Sequence, residues 1–307
     1  MRRLVAAGLI VVACVAPFVL SAFHVFQMTQ LLVYAVALVG LNLLTGVNGQ
    51  VSLGHGAFYA IGAYAAALLM SRAGLPYWAA IPGAGAVCFA VGLLIGLPAL
   101  RLEGIYLALA TFALAVATPQ ILKLDALASW TGGVQGLIVD KPDSPIDPLL
   151  DADRWLYFVT LAVAIAAFLA AWNLVRGRTG RALIAIRDHP IAAVTMGVEL
   201  ARYKTLTFAV SALYTGVAGA LGALAAGFIS PDSFTILVSI QFLVGVMVGG
   251  IGSILGMLVG AAFIELVPNV AEKISDAAPS AIYGVVLIGS MMVRAILLRR
   301  GGSHVDS

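Results

Sequence analysis

Residues 176–228 read RGRTGRALIAIRDHPIAAVTMGVELARYKTLTFAVSALYTGVAGALGALAAGF. The first part carries Arg176, Arg178, Arg181, Arg187, Arg202 and Lys204 against only Asp188 and Glu199. The remainder, residues 205–228, contains no Asp, Glu, Lys or Arg. A helix needs roughly 20 mostly apolar residues to cross the hydrocarbon core of a bilayer. Lys and Arg are retained on the cytoplasmic side of such crossings. The stretch therefore reads as a cytoplasmic basic loop feeding a transmembrane helix.

The rest of the chain repeats the pattern. Of its 307 residues 62% are hydrophobic and only 10% are charged, too few to coat a soluble fold of this size. The apolar runs are long and do not alternate with period two, and aromatics reach only 8%, which excludes a β-barrel with aromatic girdles. The net charge of +3 is spread over separate loops, with no basic tract suited to nucleic acid. Cys14 and Cys88 lie inside apolar runs and read as small buried hydrophobes. No metal-ligand spacing is present.

Runs near spanning length lie at about 4–23, 28–46, 50–70, 77–99, 104–122, 155–175, 205–228, 234–250, 253–268 and 281–298. The predicted fold class is all-α, a polytopic integral membrane protein with about ten transmembrane helices and Gly-rich broken segments. The whole of 1–307 reads as a single transmembrane domain. The first run is long enough to span, so it reads as an uncleaved helix and not as a signal peptide. Arg2 and Arg3, with Arg294, Arg299 and Arg300, place both termini in the cytoplasm, which an even span count satisfies. Segment 123–154 then falls outside; its Pro142, Pro145 and Pro148 predict an extended loop, and it is rich in Asp.

Small residues four apart let helices approach closely in lipid. Gly252, Gly256 and Gly260 form one such stripe, Gly219, Ala223 and Gly227 another, and Gly92 with Gly96 a third. The cluster from Thr45 to Gly56 is different, because it mixes Gly with Asn48, Gln50, Ser52 and His55. Irregular backbone at membrane depth is tolerated where it is buried in protein or lines an aqueous cavity. This segment is either a broken helix on a transport path or a polar turn joining two spans. Glu265 reads as a surface residue near a span end.

Within the basic loop, Thr179 can cap a short helix running through Arg187. Pro190 must end it and can start a second short helix to Met196, for which Gly197 is a fitting C-terminal cap. Arg181, Ala185 and Asp188 share one face of the first helix, and Leu183 and Ile186 another. Three readings fit such a loop: a topology determinant, a helix lying on headgroups, or a docking element.

The run Gly180-Arg181-Ala182-Leu183-Ile184-Ala185-Ile186-Arg187-Asp188, then Ala192-Ala193 and Met196-Gly197, resembles the cytoplasmic loop of branched-chain amino-acid ABC transporter permeases of the LivM type. Asn48-Gly49-Gln50-Val51-Ser52-Leu53-Gly54-His55-Gly56-Ala57-Phe58 is similar to an early signature of that family. Leu100 to Thr111 is similar to another, and Thr131-Gly132-Gly133-Val134-Gln135-Gly136-Leu137 to its outer-loop motif. The resemblance spans about 35–298.

The resemblance implies a permease subunit of an ATP-driven importer in the bacterial inner membrane, most often for branched-chain amino acids. It implies a second permease, two cytoplasmic ATPases and a periplasmic solute-binding protein as partners. Loop 176–204 would be the coupling element, with Arg181, Ala185, Arg187, Asp188 and Gly197 as coupling residues. Asn48, Gln50, Ser52 and His55 become candidates for the translocation path. No catalytic residue and no cofactor is expected in this chain, because it has no phosphate-binding Gly-Lys-Ser or Gly-Lys-Thr. ATP and Mg would be used by the partner ATPases. Related permeases also carry urea, short amides or other amino acids. The competing class is an ATP-independent secondary transporter, for which Glu265 is the one intramembrane acid on offer. An intramembrane enzyme built on Ser52 and His55 lacks the Gly-x-Ser-x-Gly elbow and any His-Glu-x-x-His site.

Overall fold

The computed structural model describes residues 15–271 apart from Arg101, Glu103 and residues 145–150, together with Ile282, Gly284, Val285 and Gly289. The uncharged runs become helices because lipid cannot hydrogen-bond the backbone, so each segment must satisfy its own N–H and C=O groups. In order they are α1 (Ala22–Asn42), α2 (His55–Ser71), α3 (Tyr77–Ala99), α4 (Ile105–Leu122), α5 (Asp125–Thr131) and α6 (Ala152–Arg176). Then come α7 (Arg178–Asp188), α8 (Pro190–Thr195), α9 (Leu200–Ala226), α10 (Ile236–Gly249) and α11 (Gly256–Ala271). A π-helical turn, Leu43–Val47, extends α1.

Among the described residues, 6 helices are long and apolar enough to cross a membrane. They correspond to the runs expected at 28–46, 77–99, 104–122, 155–175, 205–228 and 234–250. The runs at 50–70 and 253–268 yield shorter helices. Those at 4–23 and 281–298 lie mainly outside the described residues. The chain is thus an all-α polytopic membrane protein.

The centre of the packing is α9, which lies against α1, α2 and α3 and is buried along most of its length. Its composition explains this, since Ala, Gly, Ser and Thr let neighbouring backbones come close. Gly92 and Gly96 of α3 face Ala209, Ala212, Thr205 and Phe208 of α9. Gly62 of α2 lies directly on Gly216 of α9, whose other side meets Cys88 and Ala84 of α3. Phe58 of α2 and Phe208 of α9 meet edge to face with centroids 5.8 Å apart. Close van der Waals contact of this kind is what associates helices where the solvent is itself apolar.

Two of the expected stripes need correction. Gly256 and Gly260 do pack α11 onto Gly249 and Gly245 of α10, but Gly252 lies in the turn between those helices. Gly219 does pack against Tyr59 of α2, whereas Gly227 is the C-terminal cap of α9. Glu265 is also misplaced in the sequence reading. It sits well inside α11, half-buried and within electrostatic reach of Tyr34 and Tyr59.

The two ends of the bundle differ. α9 has 27 residues and so runs about 40 Å from α7 and α8 to the opposite end. There, segment 123–154 is more structured than expected. It contains α5, a 3-10 turn (Gly133–Gln135) and β1 (Leu137–Ile138). β1 pairs antiparallel with β2 (Phe228–Ile229), Leu137 opposite Ile229. Thr131 Oγ1 donates to Leu122 O at 2.7 Å and accepts from Gly133 N at 3.2 Å, which ties the Thr-Gly-Gly motif to the end of α4. Lys123 pairs with Asp232 at 2.5 Å and Lys141 with Asp153 at 2.7 Å.

Candidate functional site

At the other end α7 and α8 form the two short helices that the basic loop predicted. The cap of the first differs from expectation. Gly177 holds the N-cap position and Thr179 lies within the first turn, without a side-chain cap bond. Pro190 begins α8, and Gly197, at φ +84°, ends it by a bond from its N–H to Val194 O. Only a residue without Cβ takes that conformation at no steric cost.

Leu183 and Ile186 are 1% and 2% exposed and seat α7 on the bundle. Arg181, Ala185 and Asp188 lie exposed on the other face. On α8 the exposed residues are apolar: Ile191 and Met196 are each 84% exposed and Val194 is 52% exposed. Those three were not singled out by sequence reasoning, because an apolar residue beside a basic loop reads as membrane-facing.

Arg187 leaves that surface and reaches into the broken segment. Its Nη1 donates to Gly46 O at 2.9 Å, and its Nε donates to Asp188 Oδ1 at 2.9 Å. Gly46 O is one of the carbonyls orphaned where a helix stops, and the guanidinium supplies the missing donor. The aliphatic stem of Arg187 passes over Gly49, whose φ is +78°; a Cβ there would come within 2.7 Å of Arg187 Cγ. The early Gly cluster and α7, which lie far apart in sequence, are one structure.

The chain from Asn48 to Gly54 is non-helical. It runs from the level of Lys204, whose carbonyl accepts from Gln50 Nε2 at 3.3 Å, inward to the level of Ser211. One of its backbone donors is held by a side chain from another helix, and so is one at the start of α2. Leu53 N donates to Thr111 Oγ1 on α4 at 3.0 Å, and Gly56 N donates to Ser239 Oγ on α10 at 2.9 Å.

His55 is buried at the start of α2, with Nε2 2.6 Å from Ser211 Oγ and Nδ1 3.2 Å from Ser52 Oγ. Ser211 spends its only hydrogen on Gly40 O at 2.7 Å, so it must accept from His55 Nε2–H. Ser52 Oγ shares a hydrogen bond with Nδ1 and accepts from Gly54 N at 3.2 Å. Every polar atom of this group has a partner. Ser211→Ala leaves His55 Nε2 unpaired and takes from Gly40 O a second donor beyond its helical one, at a cost of about 1–3 kcal/mol. The expected result is a lower thermal midpoint for the purified protein; an unchanged midpoint would contradict the network.

Of the path candidates, Ser52 and His55 are therefore locked inside the chain, while Gln50 and Asn48 line a cavity between the broken segment and α7. Sequence reasoning missed Asn42. Its Oδ1 accepts from Gly252 N at 2.7 Å and its Nδ2 donates to Ser253 O at 3.2 Å. It fastens the first Gly-rich break to the second. The available signal was an amide side chain just inside a long apolar run.

A family model described as "Branched-chain amino acid transport system / permease component" matches residues 23–296. The high-affinity branched-chain amino acid transport system permease protein LivM of Salmonella typhimurium (strain LT2) is 32% identical over 98% of this chain and 74% of its own length. LivM of Escherichia coli (strain K12) gives the same identity and coverage. The LivH permease of that strain is 25% identical over 88% of this chain and 90% of its own length. No solved structure matches the chain. Apolar crossings, short surface helices and a broken early span, together with a match over nearly the whole length, place the chain in the family of branched-chain amino acid transport system permease components, as a LivM-type permease.

Proposed function

We propose that this chain is the LivM-type permease subunit of an ATP-driven importer of branched-chain amino acids in the bacterial inner membrane. Its partners would be a LivH-like permease, two cytoplasmic ATPases and a periplasmic solute-binding protein. In this reading α7 and α8 face the cytoplasm, with both termini on the same side, and the β1–β2 end faces the periplasm. The exposed Ile191, Val194 and Met196 present an apolar knob to an ATPase surface. When the ATPases close on ATP, α7 and α8 move as a seated pair. The single observation that carries the proposal is the bond from Arg187 to Gly46 O, which links the surface helix to irregular backbone inside the bundle.

The mechanism asks little chemistry of this chain. ATP and Mg stay with the motor subunits. α7 delivers a displacement to Gly46 and Gly49, and Asn42 passes it to the second break at Gly252. The surface motion thereby reaches two irregular segments together.

The test is uptake into proteoliposomes that hold the two permeases and the ATPases, with binding protein supplied at the outer face. Leucine, isoleucine or valine should accumulate only when ATP is present at the ATPase side. Accumulation of urea or short amides instead would replace the solute class. Accumulation without ATP would replace the transport class.

A further inference from the structure

The cavity between the broken segment and α7 has a volume of about 400 Å³, within the range of small-molecule sites. Its wall has three kinds of group. Arg187, which keeps N–H donors beyond the two spent on Asp188 and Gly46 O, and Lys204 bring cationic groups, Asn48 and Gln50 bring amides, and residues such as Val51, Leu107 and Ile186 bring apolar surface. Asn48 is the unusual member. It is 2% exposed, and neither its Oδ1 nor its Nδ2 has a partner among the described residues. A buried amide left unpaired costs free energy that a ligand can recover.

We propose that this cavity is a binding site for a free aliphatic α-amino acid at the α7 end of the permease. The cationic groups suit its carboxylate, Asn48 can accept from its ammonium and donate to its carboxylate, and the apolar wall suits its side chain. The site rests on the permease reading above and deepens it. It gives the carried solute a last station beside the coupling helix before release. Binding there should be weak, on the order of millimolar, since a tight site would hold the solute back.

The experiment uses the assembled transporter in lipid nanodiscs without binding protein, probed with radiolabelled L-leucine. Saturable binding is expected in both phosphatidylcholine and phosphatidylglycerol discs, with L-leucinamide, which lacks the carboxylate, a poor competitor. Asn48→Leu and Lys204→Gln, each checked for intact assembly by gel filtration, should each weaken binding about tenfold, the loss of one good polar contact. Absence of saturable binding in both lipids would overturn the proposal, as would binding that neither variant alters. ATP-driven leucine uptake is measured alongside. Uptake without binding at this site sinks the cavity proposal and leaves the permease reading standing, whereas absence of uptake of any branched-chain amino acid sinks that reading itself.

Discussion

Arg187→Glu is expected to cut uptake about a hundredfold while the assembled transporter still hydrolyses ATP. The substitution removes the donor to Gly46 O and sets a carboxylate against that carbonyl and beside Asp188. A hydrogen bond from a charged group contributes about 1.5–3 kcal/mol, and repulsion adds to its loss, so uptake should fall on the order of a hundredfold. Leu183 and Ile186 are untouched, so α7 stays seated and abundance in the membrane should change little. The measurement pairs solute uptake with ATP turnover on the same preparation. Normal uptake at normal abundance would remove Arg187 from the coupling route. Loss of both activities together would mean that the ATPases no longer dock, a different failure.

The second large effect concerns folding. Gly62→Ala should sharply lower the amount of folded protein, and Gly62→Val should leave almost none. A Cβ at this position would overlap the carbonyl oxygen of Gly216, and that backbone is held from behind by Cys88 and Ala84 of α3. Three helices would have to separate, and overpacking of this kind costs about 1–3 kcal/mol or more. Gly83→Ala is the matched control. Its Cβ would meet only the end of the Leu69 side chain, at 2.8 Å, which can swing aside. Fluorescence-detected gel filtration of both alanine variants compares them directly. Equal yields would show that the Gly62–Gly216 crossing is not a tight point of the fold.

These contrasts bear on what could be read from the chain alone. Of the ten runs marked by apolar length, six are helices long enough to cross a membrane among the described residues, because the physics there is local: a run either can span the hydrocarbon or cannot. The short helices α7 and α8 were legible for the same reason, from Pro190, Gly197 and the Leu183–Ile186 spacing. The boundary of α9 was less so. Charge ends the apolar run at Lys204, yet the helix begins at Leu200, since long basic side chains can lie along a helix and keep their charge in water. Residue type points to Thr179 as a cap, whereas the chain turns directly from α6 into α7 at Gly177, with Gly180 pressed against Val175 O.

The site was legible in composition and hidden in connection. The mixture of Asn, Gln, Ser and His marked residues 48–55 as unusual but left two readings open. In the structure the segment is a turn at its outer part and a buried polar knot at its inner part. Nothing local could pair Asn42 with Gly252, Arg187 with Gly46 or His55 with Ser211. Those bonds join residues far apart in sequence, and only the packed bundle brings them together.

The polar knot at His55 has a mechanical corollary. The start of α2, from Leu53 just ahead of it to Gly56, is fastened to α4, α9 and α10 through Thr111, Ser211 and Ser239. Gly62 against Gly216 holds the same helix a second time, about 10 Å further along its axis. With 17 residues α2 is about 25 Å long, and a rod pinned at two points cannot tilt on its own. Any displacement of α2 must therefore carry α9 with it as one body.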